Sequence, residues 1–131
     1  MTRYGIDSAA LLLVIEGHLS IAPAHALVAP NRILPDLLGT LLADVRNGAR
    51  TEKAALGLHT RATETKIRLL GDRVSRRTAW NLAMQLGCDL RDAEYLAVTK
   101  LQADALVTSD ARLAGLAVGI VPAVGLDALS D

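Results

Sequence analysis

Residues 104–116, DALVTSDARLAGL, decide how this chain is read. Ala105, Leu106 and Val107 form a short apolar run of strand type, which stops on two hydroxyls and Asp110. From Ala111 the spacing turns helical. A strand that ends on a carboxylate and hands over directly to a helix is half of a βαβ unit. Asp110 has two readings at this point: a cap for the helix that follows, or a member of a site.

Working outward, strand-type and helix-type segments alternate. Arg3–Asp7 predicts a first strand, Ser8–Glu16 an apolar helix, and Ile21–Ala29 a second strand closed by Pro30. Asn31–Asn47 carries Ile33, Leu34, Leu37, Leu38, Leu41, Leu42 and Val45 at helical spacing, with Pro35 tolerated in the first turn. Thr51–Thr63 predicts a helix behind a hydroxyl cap, and Lys66–Leu70 a strand ended by Gly71-Asp72. Arg73–Leu86 is amphipathic, with Gly87 as its stop. Asp92–Gln102 is a further helix, Asp104–Thr108 and Ile120–Pro122 are strands, Ala111–Leu116 is a short helix, and Leu126–Leu129 a last helical turn. This alternation predicts a single α/β domain over residues 1–131 with a mostly parallel sheet covered on both faces.

Composition agrees. The chain is 51% hydrophobic but holds one Trp, two Tyr and no Phe, so its core must be aliphatic. A single Cys88 excludes an internal disulfide and suits a reducing cytosol, and no signal peptide or membrane-spanning run is evident. Formal net charge is zero, which removes any global field toward nucleic acid or membrane. Locally, Arg50–Thr78 has eight basic against three acidic residues, and Asp89 onward has seven acidic against three basic. Solvated helix faces account for this, as would an anionic partner beside a cation site.

Of ten Asp, four fall at suggestive places. Asp7 and Asp110 end strands, while Asp36 and Asp92 lie in the first turns of helices. In a parallel sheet, strand ends and helix starts share one edge, where ligands bind. Several carboxylates converging there call for a cation, and hard oxygen donors favour Mg²⁺ or Mn²⁺ over Zn²⁺. A metal-activated water attacking a phosphodiester is the chemistry such a set implies. Any one of these aspartates alone is equally an N-cap or a surface residue.

The segments IDSAALL, LVAPNRILPDLL, DLRDAEYLAV and ADALVTSDARLA, in that order, resemble the successive blocks of PIN-domain proteins, especially the VapC-like toxins of bacterial toxin–antitoxin pairs. The resemblance runs from Tyr4 to about Ala117. It implies a three-layer α/β/α fold and a Mg²⁺- or Mn²⁺-dependent endoribonuclease, cytoplasmic, acting on RNA and neutralised by a cognate antitoxin. Asp7, Asp92 and Asp110 match the family's metal-holding acids, with Ser8 as the hydroxyl neighbour of Asp7. Asp36 falls where the family usually has glutamate, one methylene longer, and Pro35 before it is unusual. That departure keeps open a second reading, a catalytically impaired PIN-like binding or regulatory protein. A receiver-like phosphate-transfer domain ranks lower, because the acidic pair and late lysine it needs are missing.

Other residues carry weaker expectations. Asp89 is either a supporting acid or a residue leading into its helix. Arg76 and Arg77 are candidate phosphate contacts, and Lys66 and Arg68 suit a charged edge strand. Trp80 and Tyr95 are expected in the core, and His18, His25 and His59 on the surface or in loops. The apolar stretches Ala9–Ile15 and Leu37–Leu42 exceed one helix face, which core burial or a homodimer seam would explain; a homodimer without membrane contact is expected.

Overall fold

The computed structural model describes residues 1–131 as five strands and six helices: β1 (Thr2–Ile6), α1 (Ser8–Ile15), β2 (His25–Pro30), α2 (Ile33–Arg46), α3 (Glu52–Glu64), β3 (Ile67–Leu70), α4 (Arg73–Leu86), α5 (Leu90–Gln102), β4 (Ala105–Val107), α6 (Ala111–Ala117) and β5 (Ala123–Val124), followed by a 3₁₀ turn at Leu126–Leu129. All strand pairings are parallel, in the order β3-β2-β1-β4-β5. From β1 the chain steps outward to β2 and β3, then crosses back to β4 and β5. Right-handed crossovers in opposite directions put helices on opposite faces of a sheet. Thus α1, α2 and α3 pack together, while α5 lies across β2, β1 and β4 with α4 stacked on it. The result is the three-layer α/β/α arrangement expected from the alternation.

The core is aliphatic. Ile6, Leu11, Ile33, Leu37, Leu41, Leu96, Leu106 and Leu129 are fully buried, and Tyr95 is the sole aromatic among the buried residues. β1 and α5 approach so closely that a Cβ at Gly5 would collide with the Thr99 hydroxyl. The caps follow local chemistry: Thr51 and Asp72 accept backbone N–H bonds at the starts of α3 and α4, and Gly87 closes α4 in the left-handed region at φ 63°. No helix is long and apolar enough to cross a membrane.

Four expectations need correction. The last strand is Ala123–Val124, not Ile120–Pro122, because the N–H groups of Ile120 and Val121 turn back to the Ala117 carbonyl as α6 ends. Trp80 is 58% exposed. The stripe that α4 buries is Ser75, Ala79 and Leu82, and the residue after Ala79 is carried around the helix toward solvent. His25 is neither surface nor loop: it begins β2, with its ring edge-on to Tyr4 at 5.0 Å. The second strand is also shorter than expected, since Pro23 and Ala24 form a turn before His25, and Pro30 ends it in register with Leu70.

Candidate metal and phosphodiester site

The strand order reverses direction between β1 and β4, and the crevice beyond the carboxyl ends of two such strands is where open α/β sheets bind ligands. Asp7 directly follows β1, and Asp110 lies three residues after β4. A cleft of about 420 Å³ opens there, lined by Asp7, Ser8, Asp36, Asp92 and Asp110 together with Arg91, Tyr95 and Arg112. All four singled-out aspartates therefore reach one cleft, delivered by two strand ends and the first turns of α2 and α5.

Each carboxylate is partnered. Asp7, 6% exposed, caps α1 by accepting from the Ala10 N–H at 2.8 Å, and its other oxygen accepts from the Thr108 hydroxyl at 2.6 Å. The Asp110 N–H donates to that same hydroxyl at 3.0 Å, so Thr108 ties the two strand ends together. Burial raises the Asp7 carboxyl above its ordinary value, and the negative charge of Asp110 adds to the effect. Asp110 caps α6 through the N–H groups of Arg112 and Leu113. The first of its two possible roles is thus real, and its second oxygen still faces the cleft chemistry at 3.3 Å from Arg112 Nη2.

Asp92 is gripped by one side chain. Arg112 donates from Nη1 to Oδ2 at 2.5 Å and from Nη2 to Oδ1 at 3.0 Å, a bidentate fork. The hydrogen bond to Asp92 and its charge raise the Arg112 guanidinium far above its usual range. Asp36 accepts from the Tyr95 hydroxyl at 2.7 Å, with Arg32 Nε at 3.3 Å and Arg91 Nε at 3.5 Å. Burial, then the bond to Asp36, hold the Tyr95 phenol protonated well beyond its normal range.

The donor set has the hard-oxygen character that suits Mg²⁺ or Mn²⁺, and its surplus of negative charge asks for a cation. With Arg112 seated between them, no three acids of the cleft stand grouped closely enough to cage an ion. A guanidinium bridges Asp92 and Asp110 instead.

The remaining candidates lie elsewhere. Asp89 precedes α5 without making a side-chain capping bond and does not line the cleft. Arg76 donates to the Gly71 carbonyl at 2.6 Å and lines a separate cleft of about 370 Å³ with Asn31, Arg32 and Glu94. Arg77 faces outward near Val74 and Trp80. Sequence reasoning missed Arg112, Arg91, Thr108 and the hydroxyl of Tyr95. Only the Asp110-x-Arg112 spacing carried a signal, a cation in the first turn of a helix, where the dipole disfavours it unless an acid holds it.

No protein-family model matches the chain, and no curated protein matches its sequence. Among solved structures it is similar to PAE2754 from Pyrobaculum aerophilum, with 20% identity and a TM-score of 0.73 over 98% of this chain and 92% of that one. It is also similar to VapBC2 from Rickettsia felis, solved bound to a DNA fragment from its promoter, with 9% identity and a TM-score of 0.67 over 94% of this chain and 98% of that one. At such identities the likeness speaks for the fold, and together with the order of motifs it makes this a PIN-like α/β/α fold.

Proposed function

We propose that the chain is a Mg²⁺- or Mn²⁺-dependent endoribonuclease, the cytoplasmic toxin of a toxin–antitoxin pair. The observation that carries this reading is the convergence of Asp7, Asp36, Asp92 and Asp110 on one cleft at the switch point of the sheet. Asp7, Asp92 and Asp110 would hold the metal, and a divalent ion bound there supplies an activated water and offsets the charge of the phosphodiester. Thr108 keeps Asp7 and Asp110 in register. Tyr95, Arg32 and Arg91 fix Asp36 at the wall, and the largely exposed Arg91 side chain stands where an RNA backbone would approach. Phosphate contact by Arg76 and Arg77 calls for an RNA that extends beyond the cleft. Similarity to a VapBC2 assembly supports an antitoxin partner. On α2, Leu38 and Leu42, 39% and 49% exposed, are the large apolar side chains that a homodimer seam would cover.

The test is Mn²⁺-dependent cleavage of a mixed RNA pool by the parent and by Asp7→Asn. Loss of at least about 100-fold in rate, with an unchanged circular dichroism spectrum, supports the assignment. Equal rates in the two proteins overturn it.

A second reading, a PIN-like binding or regulatory protein with impaired catalysis, is favoured by one feature. Asp36 is shorter than glutamate and already engaged by Tyr95 and two arginines. Calorimetric titration with Mn²⁺ separates the two, since the impaired form binds no metal at millimolar concentration.

A further inference from the structure

The ion-pair geometry of the cleft is lopsided. Asp92 is buried, its side chain 8% exposed, whereas the Arg112 side chain that grips it is 62% exposed. Both carboxylate oxygens of Asp92 are used, and the same guanidinium also reaches Asp110. Two acids that the proposed metal needs are therefore satisfied by one cation from the chain itself. Arg112 comes from the first turn of α6, two residues after Asp110, so cap and counter-ion arrive on one short segment.

We infer that Arg112 is a built-in counter-cation that closes the metal site, and that a divalent ion binds only by displacing its guanidinium from Asp92. The inference rests on the proposal that the cleft is a metal site. The physical grounds are these. A carboxylate buried as Asp92 is costs far more without a positive partner than with one, so loss of one cation favours another in its place. The fork engages both Asp92 oxygens, and its positive charge repels a divalent ion brought to the same carboxylate. Of the two pair members, Arg112 is the one able to move, because its largely exposed head regains hydration as it swings out while Asp92 stays where α5 packs it. The bidentate fork sets the strength of the competitor, and a lysine, a point charge with no fork, would compete less well.

The experiment measures Mn²⁺ binding by calorimetry at fixed ionic strength for the parent, Arg112→Met and Arg112→Lys, with melting temperatures in EDTA and in excess Mn²⁺. Methionine keeps most of the apolar stem and removes the charge. The expected result is Mn²⁺ binding roughly tenfold tighter or more in Arg112→Met, with Arg112→Lys in between. Without metal, Arg112→Met should melt below the parent, because Asp92 loses its partner, and Mn²⁺ should restore it. Equal Mn²⁺ affinity across the three folded proteins overturns the counter-cation role and leaves the metal site standing. Weaker binding in Arg112→Met overturns it too, and makes Arg112 a positioning residue. Absence of Mn²⁺ binding in all three overturns both this inference and the metal-site reading beneath it.

Discussion

Asp7 shows how one residue can be read from sequence in its position yet not in its energetics. Its place at a strand end was legible in GIDS, and so was the α1 cap. Its burial was not, because that depends on β4 and Thr108 arriving beside it. Burial penalises the carboxylate relative to the acid, so the folded chain holds the Asp7 proton more tightly than the unfolded chain does. The stability this contributes is complete below the ordinary value of 3.8 and is lost as pH rises through the raised folded value. Asp7→Asn keeps an oxygen for the Ala10 N–H, places a donor where Oδ2 accepts from Thr108, and carries no charge. In metal-free buffer its melting temperature relative to the parent's should therefore rise as pH is raised from below 3.8 to neutral. A thermal melt series in EDTA across this range checks it, and a difference that is flat or falls with rising pH contradicts it.

At the scale of elements, the β1–α5 contact is the tightest constraint near the site. α5 positions Asp92 and Tyr95 only because it can sit close to the central strand, and Gly5 permits that approach against the buried Thr99. Thr99 is β-branched, with few rotamers to retreat into, and its hydroxyl donates to the Tyr95 carbonyl. Gly5→Ala should therefore cost about 1–3 kcal/mol by denaturant unfolding and shift α5 away from β1. Adding Thr99→Ala should recover part of that loss, and a neutral Gly5→Ala would show that the layers have slack. Helix boundaries were legible where caps are local, as with Thr51, Asp72 and Gly87. Trp80 was misplaced because periodicity identifies an apolar face without saying which neighbour covers it. α4 meets α5 through Ser75, Ala79 and Leu82, a narrow seam of mostly small residues, and leaves Val74, Trp80 and Met84 exposed.

For the molecule as a whole, the strand order makes the cleft, and a ligand in the cleft should stabilise the fold. If the site takes a divalent ion, Mg²⁺ or Mn²⁺ at 100 times its dissociation constant adds about 2.7 kcal/mol of unfolding free energy, and EDTA removes it. The same titration on Asp92→Asn should show most of the gain lost. A melting temperature indifferent to metal in the parent would count against a metal-loaded native state.

The residues by themselves determined the alternation of strands and helices, the aliphatic core and the candidates Asp7, Asp36, Asp92 and Asp110, because propensity, capping and periodicity act over a few neighbours. Only the tertiary structure decided that β1 and β4 are adjacent, that Thr108 bridges two aspartates, and that Arg112 fills the charge gap between Asp92 and Asp110. Those contacts join residues up to 101 positions apart, and a hydrogen bond or ion pair leaves no periodic trace in the chain that makes it. In VTSDAR the cap was readable, since the partners of Asp110 are two and three residues away. The arginine's hold on Asp92 was not, since it exists only once the fold brings the first turns of α5 and α6 to the same end of the sheet.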